Sequence, residues 1–168
     1  MVKIYEEIKQ TKPFRVHGLE ANITILRTAD VLHHAVERAM APFGISHQQF
    51  NILRILRGAG DSGLPTLEIA SRMVSRSPNI TRLMDKLIAK KLARRIRSRQ
   101  DRRVVVISIT PQGGELLVRL DRVVDEVFEK FPPTTKAEMR TLLELLDRIR
   151  EHMAVKTAKE LSLEKAAH

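Results

Sequence analysis

Apolar residues recur at helical spacing through nearly all of this chain, and that period breaks once. Leu92-Ala93-Arg94-Arg95-Ile96-Arg97 and Val104-Val105-Val106-Ile107-Ser108-Ile109 read as two β-strands, the second strongly β-branched. Between them Ser98-Arg99-Gln100-Asp101-Arg102-Arg103 forms a polar, basic tip. The fold class this implies is mostly α with a small β-hairpin.

The flanking segments carry helix signals. Residues 3–12 are a short amphipathic stretch, with Ile4 and Ile8 four apart, ending before Pro13. From Leu19 to Pro42, Ile23, Leu26, Leu32, Val36, Ala39 and Met40 follow the helical repeat. Ser46-His47-Gln48-Gln49 is a capping box that opens a helix with Phe50, Leu53, Ile55 and Leu56 apolar. Gly58 and Gly60 are expected to stop it, in a loop over 58–63. Thr66 is expected to cap a short helix through Val74, with Leu67, Ile69, Ala70 and Met73 facing inward. Ser77-Pro78 starts the next helix, since proline at the first helical position lacks only an N–H that would go unpaired anyway. That helix runs to about Lys91 and buries Ile80, Leu83, Met84, Leu87 and Ile88. After the hairpin, Thr110-Pro111 opens a helix with Leu116, Leu117, Leu120, Val123, Val124, Val127 and Phe128 apolar. Pro132-Pro133 ends it. Thr135-x-x-Glu138 is a second capping box, before a last long helix bearing Leu142, Leu143, Leu145, Leu146, Ile149 and Met153.

Charge is as segregated as periodicity. From Arg72 to Arg103 there are 12 Lys/Arg and 2 Asp/Glu, a balance of +10; the other 136 residues hold 18 of each sign. One concentrated basic patch attracts phosphate by Coulomb steering and counterion release. A mixed-sign solvated helix face does not look like this, and residues 72–103 contain no aromatic side chain for stacking RNA bases. The chain has no Cys, which excludes disulfides, thiolate metal sites and cysteine redox sensing. The N-terminus lacks an apolar run of signal-peptide length, and no window approaches a membrane span. A soluble cytoplasmic protein is the expectation.

Two short helices, a basic-tipped hairpin and the whole charge excess in those elements describe a winged helix-turn-helix. In such a unit the N-terminal residues of the second helix enter the major groove. Here these are Arg76, Ser77, Pro78, Asn79, Thr81 and Arg82, with Lys86 one turn on. Arg bonds guanine bidentately, Asn bonds adenine, and Thr offers a hydroxyl or a methyl. Asn79, Arg82 and Lys86 share a face opposite Ile80, Leu83 and Leu87. The wing candidates are Arg97, Arg99, Asp101, Arg102 and Arg103, with Arg99, Arg102 and Arg103 suited to a narrow minor groove. Asp101 either pairs with Arg103 or a turn amide, or is ordinary turn chemistry. Asp85 is expected to pair with a neighbouring Arg or Lys rather than with a base.

These residues resemble the MarR family of bacterial transcription regulators. The carrying stretches are Leu67-Glu68-Ile69-Ala70, Ser77 through Leu87, Asp101-Arg102-Arg103, and Ile109-Thr110-Pro111-Gln112-Gly113. The resemblance covers about residues 19–153. It implies an obligate homodimer made by helices from both termini, acting as a repressor on a palindromic DNA site. It places Pro78, Asn79, Thr81 and Arg82 in the base-reading stretch and Arg102 and Arg103 in the wing. It divides the chain into 1–43 for dimerisation, 44–110 for DNA binding and 111–168 for dimerisation. The family often has Lys-Gly-Leu after the recognition helix; here the residues are Lys90-Lys91-Leu92. Residues 1–18 exceed the usual core.

Members of this family commonly leave DNA when a small phenolic or anionic effector fills a cleft between dimer core and DNA-binding lobe. The polar candidates in the matching region are His33, His34, His47 and Arg54, which are otherwise ordinary exposed or first-turn residues. His33 and Glu37 have the spacing of a metal-ligand pair, but no second cluster supports a metal, and no cofactor is expected. The phosphate-loop, dinucleotide and nucleophile-elbow motifs of common enzymes are absent. The competing reading is a sequence-indifferent architectural DNA binder, which would share the charge patch but would need no base-reading face.

Overall fold

The break in period is where the chain makes its sheet. The computed structural model describes residues 3–75, 79–97, 103–132 and 134–166, with side chains as far as residue 155. Strands β1 (Ala93–Arg97) and β2 (Val105–Ile109) pair antiparallel, in register from Ala93↔Ile109 to Arg97↔Val105. Two strands alone are marginal in water. This hairpin gains a third backbone partner: Leu64 N donates to Ile107 O and Ile107 N to Leu64 O, both at 2.9 Å. Gly63 permits that approach. Its φ of +65° and ψ of −177° suit only glycine, and a Cβ there would stand 2.6 Å from Ile107 O.

The chain divides into two compact units, Met1–Lys130 and Phe131–His168. The first contains α1 (Ile4–Glu7), α2 (His17–Met40), α3 (His47–Ala59), α4 (Thr66–Ser71), α5 (Ile80–Ala89), the hairpin, and α6 (Pro111–Phe128). Short 3₁₀ turns at Ala41–Phe43 and Gly60–Ser62 follow α2 and α3. The second unit is α7 (Lys136–Ala166). The core of the first unit is built from Met40, Ile52, Leu53, Leu56, Ile69, Leu87, Leu117 and Leu120, all fully buried. Arg57 of α3 donates to Asp121 of α6 at 2.5 Å along its edge.

Helix starts follow the side-chain caps. Gln49 N donates to Ser46 Oγ and Ser46 N to Gln49 Oε1, both at 3.2 Å, closing the first capping box. Gly113 N donates to Thr110 Oγ1 at 3.0 Å at the start of α6. Thr135 N donates to Glu138 Oε2 at 2.7 Å and Glu138 N to Thr135 Oγ1 at 3.2 Å at the start of α7. The Thr135 backbone bond, and then its side chain, hold the Glu138 carboxyl below its ordinary pKa.

Several expectations need correction. The amphipathic stretch 3–12 is helical only over the single turn of α1. Helix α3 runs through Gly58 to Ala59, because the buried face of Leu53 and Leu56 carries it past one weak former; Gly60, at φ +63°, ends it. Helix α4 starts after Pro65, without a side-chain cap from Thr66, and stops at Ser71 rather than Val74. Leu67 is not inward: it is 84% exposed while Ile69 is fully buried. Residues two apart on a helix are turned by about 200°, so both cannot face the core. The helical repeat expected from Leu19 to Pro42 does form α2, with Val36 and Met40 buried and Leu26 exposed.

Helix α5 starts at Ile80, after a non-helical Asn79, rather than at Ser77-Pro78, and it ends at Ala89 rather than Lys91, closing in a Schellman turn. Leu92 N donates to Leu87 O and Lys91 N to Ile88 O, each at 2.9 Å, and Leu87 and Leu92 are both buried. Lys91 occupies the left-handed position at φ +60° that glycine normally fills. A lysine therefore sits where a Cβ is disfavoured. Lys91→Gly should raise unfolding stability by about 1 kcal/mol. The check is a higher urea midpoint with an unchanged slope.

Candidate nucleic-acid interface

Helix α5 sorts its residues as an amphipathic helix must. Met84 and Leu87 are buried, Ile80, Leu83 and Ile88 are half-buried, and Thr81, Arg82, Asp85 and Lys86 are exposed. Asn79 immediately precedes the helix with φ −111° and makes no side-chain cap bond, so its amide is not committed to capping α5. Arg82 and Lys86, four apart, lie on one exposed face of α5 whose reverse is core, with Asn79 exposed just before the helix and Thr81 exposed on its flank. Arg76, Ser77 and Pro78 lie outside the described residues.

The wing residues divide the same way. Arg97 ends β1 and Arg103 precedes β2, both exposed. Arg99, Asp101 and Arg102 lie outside the described residues, and so does any partner of Asp101. Asp85 has the internal partner expected of it: Arg95 Nη2 donates to its Oδ1 at 2.5 Å. That pair spans from α5 to β1 and links the helix to the hairpin. Arg94 and Arg95, exposed on β1, also belong to the basic run. Arg72 pairs with Glu68, so part of the charge at the end of α4 is neutralised within the protein.

The turn into α5 is held from α3. Val74 N donates to Asn51 Oδ1 at 3.0 Å. Beside that contact is a cavity of about 420 Å³. Its walls are Ala29, Asp30, Leu32, His33 and Val36 of α2, His47, Gln48 and Asn51 of α3, Met73, Val74 and Ser75 before α5, and Phe128 of α6. Of the four expected effector residues, His33 and His47 line it. His34 instead lies 3.4 Å from Asp30, and Arg54 stacks over the Phe50 ring at 5.7 Å. Asn51 and the 73–75 segment carry no sequence signal, because their role arises only when α3 and the turn meet.

His33 and His47 meet with their Nδ1 atoms 3.0 Å apart. Glu37 Oε1 accepts the backbone N–H of His47 at 2.7 Å and lies 3.8 Å from His33 Nε2. Burial first, and then the His33 ring, hold the His47 pKa below its ordinary value, against the pull of Glu37. Glu37 therefore serves the α3 N-terminus. Among the described residues no three His, Asp or Glu side chains gather as metal ligands.

This arrangement is that of a winged-helix regulator, and comparison with known proteins gives the lineage. The MarR family profile matches residues 45–105. YpoP of Bacillus subtilis (strain 168), described as an uncharacterized HTH-type transcriptional regulator, is 34% identical over 110 residues, covering 62% of this chain and 74% of its own. A MarR transcription factor from Planctomyces limnophilus is 33% identical with a TM-score of 0.59, over 84% of this chain and 99% of that one. The MepR–DNA complex of S. aureus shares the fold at a TM-score of 0.70 and 20% identity, over 78% and 96%. The chain belongs to the MarR family. It is a DNA-binding transcriptional regulator.

Asp85 puts an acid on the exposed face of α5 and engages one of its basic neighbours. The pair is about half exposed, so Asp85→Asn should change stability by less than about 1 kcal/mol. It should tighten binding to random duplex and steepen its log–log salt dependence by up to about 0.9, the increment of one extra neutralised phosphate. Titrations at several salt concentrations measure both.

Proposed function

We propose that this protein is a homodimeric repressor that reads a palindromic operator through α5 and the wing, and leaves it when a small molecule fills the cavity between α2, α3 and the 73–75 turn. The observation that carries the reading is the face of α5. Arg82 and Lys86 lie on one exposed face whose reverse is core, with Asn79 and Thr81 exposed beside it, and all four are base- and phosphate-reading types. A sequence-indifferent binder needs the charge but not that surface.

The dimer reading rests on apolar surface. Helix α2 exposes Leu19, Leu26 and Val31, and α7 separately exposes Leu142, Leu143, Leu145 and Ile149. Exposed apolar stripes of this kind mark an interface. Residues 1–43 and 111–168 are assigned to it, and 44–110 to DNA. One two-fold axis spaces the half-sites about 34–36 Å apart, one turn of DNA. A dimer seated across an operator occludes it, so repression is its default output. The effector cavity has apolar walls of Ala29, Leu32, Val36, Met73, Val74 and Phe128, with two imidazoles at one side. It suits an apolar molecule with one anionic or phenolic group. Among the described residues no helix is long and apolar enough to cross a membrane, and a DNA ligand puts the work of the protein in the cytoplasm. Nothing in the reading requires catalysis.

In vitro selection of genomic fragments at near-physiological salt tests it. Enrichment of a short inverted repeat is the expected result; uniform recovery of all fragments would overturn it in favour of the architectural binder. Within a recovered site, Arg82→Ala should cost roughly 1–3 kcal/mol at particular base pairs. Arg103→Ala should weaken most sequences alike and flatten the salt slope.

A further inference from the structure

The contact between His33 and His47 depends on how many protons the pair holds. Their Nδ1 atoms are 3.0 Å apart and their ring centroids 5.1 Å apart. Two ring nitrogens this close form a hydrogen bond only when one carries a proton and the other offers a lone pair. The bond exists with both rings neutral, or with one charged. With both charged, each Nδ1 is a donor and the contact becomes repulsive.

We infer that His33 and His47 form a proton-operated latch between α2 and α3, closed while at most one ring is charged and opened when both are. The latch joins the helix with an exposed apolar stripe to the first helix of the DNA-binding unit.

Two carboxylates of α2 face the pair. Glu37, 3.8 Å from His33 Nε2 and bonded to the His47 backbone N–H, can balance one proton; Asp30 stands between Arg27 and His34, 3.4 Å from each, which leaves little for a second. From α3 the neighbouring side chain in the cavity wall is Gln48, and the cation Arg54 lies over Phe50. The turn before α5 brings Met73, Val74 and Ser75, and α6 brings Phe128; none of these titrates. His47 is also the first residue of α3, where the helix dipole opposes positive charge. The lowered His47 pKa agrees in direction. The sign follows. A folded-state value below the unfolded one, about 6.5, means that the native state binds fewer protons between the two. The stability contributed by the latch is complete above about pH 6.5 and is lost as pH falls toward the lowered value.

Opening reaches the DNA face through α3. Its Asn51 holds the Val74 amide, and its Ile52, Leu53 and Leu56 share the core with Met84 and Leu87 of α5. The six histidines are at 17, 33, 34, 47, 152 and 168. Residues 48–151, which include α4, α5 and the hairpin, contain neither His nor Cys. A pH effect on DNA affinity near neutrality therefore originates outside the DNA-reading side chains.

The inference rests on the DNA-binding reading for its output, so the test has one arm with DNA and one without. With full-length protein, anisotropy titrations of a fluorescent mixed-sequence duplex at constant ionic strength, from about pH 8 to about pH 5.5, should show affinity falling severalfold. His47→Gln keeps a neutral partner for His33 at every pH and should flatten that fall. His34→Gln should retain it. Without DNA, ring NMR signals of His33 and His47 should titrate as a coupled pair, and His47→Gln should leave His33 with a simple single-site curve. Should His47→Gln fail to fold, His33→Gln makes the same test from α2. An undiminished fall in the Gln variants, or independent ring titrations, would each overturn the latch. Coupled rings with no change in DNA affinity would overturn only its connection to DNA.

Discussion

Thr110 is the residue on which the geometry of the DNA-binding unit turns. Its Oγ1 donates to Lys91 O at 2.7 Å and accepts from Gly113 N at 3.0 Å, while its own N–H donates to Leu92 O at 3.1 Å. One residue thus joins the end of α5, the entry to β1 and the first turn of α6. The fit is tight: a Cβ on Gly113 would lie 2.1 Å from Leu92 O. Carbonyls left over at one helix end are satisfied by the cap of the next, so buried backbone polar groups at this junction find partners without extra loop. The exposed face of α5 is aimed by this junction from one end and by the Asn51–Val74 bond from the other.

Electrostatics and packing divide the work. The core is apolar, with buried Leu, Ile and Met from α3, α5 and α6, and it gives stability without direction. The charged pairs are mostly half-exposed and so contribute little energy. They set orientation: Arg57–Asp121 aligns α3 with α6, and Asp85–Arg95 aligns α5 with β1. The acid within the basic run is thereby explained as a strut.

The local chemistry was legible in the sequence. Ser46, Thr110 and Thr135 cap the helices that their motifs announce, and both strands fall within one residue of the expected limits. What failed depended on tertiary context. Gly58 reads as a breaker, but the buried face of α3 outweighs its propensity. Leu67 reads as core, yet it lies two residues from the buried Ile69 and so points to the other side of α4. Lys91 gives no sign of a left-handed turn, because the Schellman bonds and the Leu87–Leu92 contact impose it from outside the residue. The exposed polar face of α5 was legible as a pattern of residue types. The His33–His47 meeting was not, since fourteen positions separate the two rings and only the packing of α2 on α3 brings them together.

The bridge between Leu64 and Ile107 has a further consequence. It fastens the base of the hairpin to the loop after α3, while α5 is packed on α3 itself. The hairpin is thus held twice, by this bridge on the α3 side and by the Asp85–Arg95 pair on the α5 side. Residues 60–64, Gly-Asp-Ser-Gly-Leu, carry no basic side chain. A change in that connector can therefore shift the hairpin without altering a basic residue.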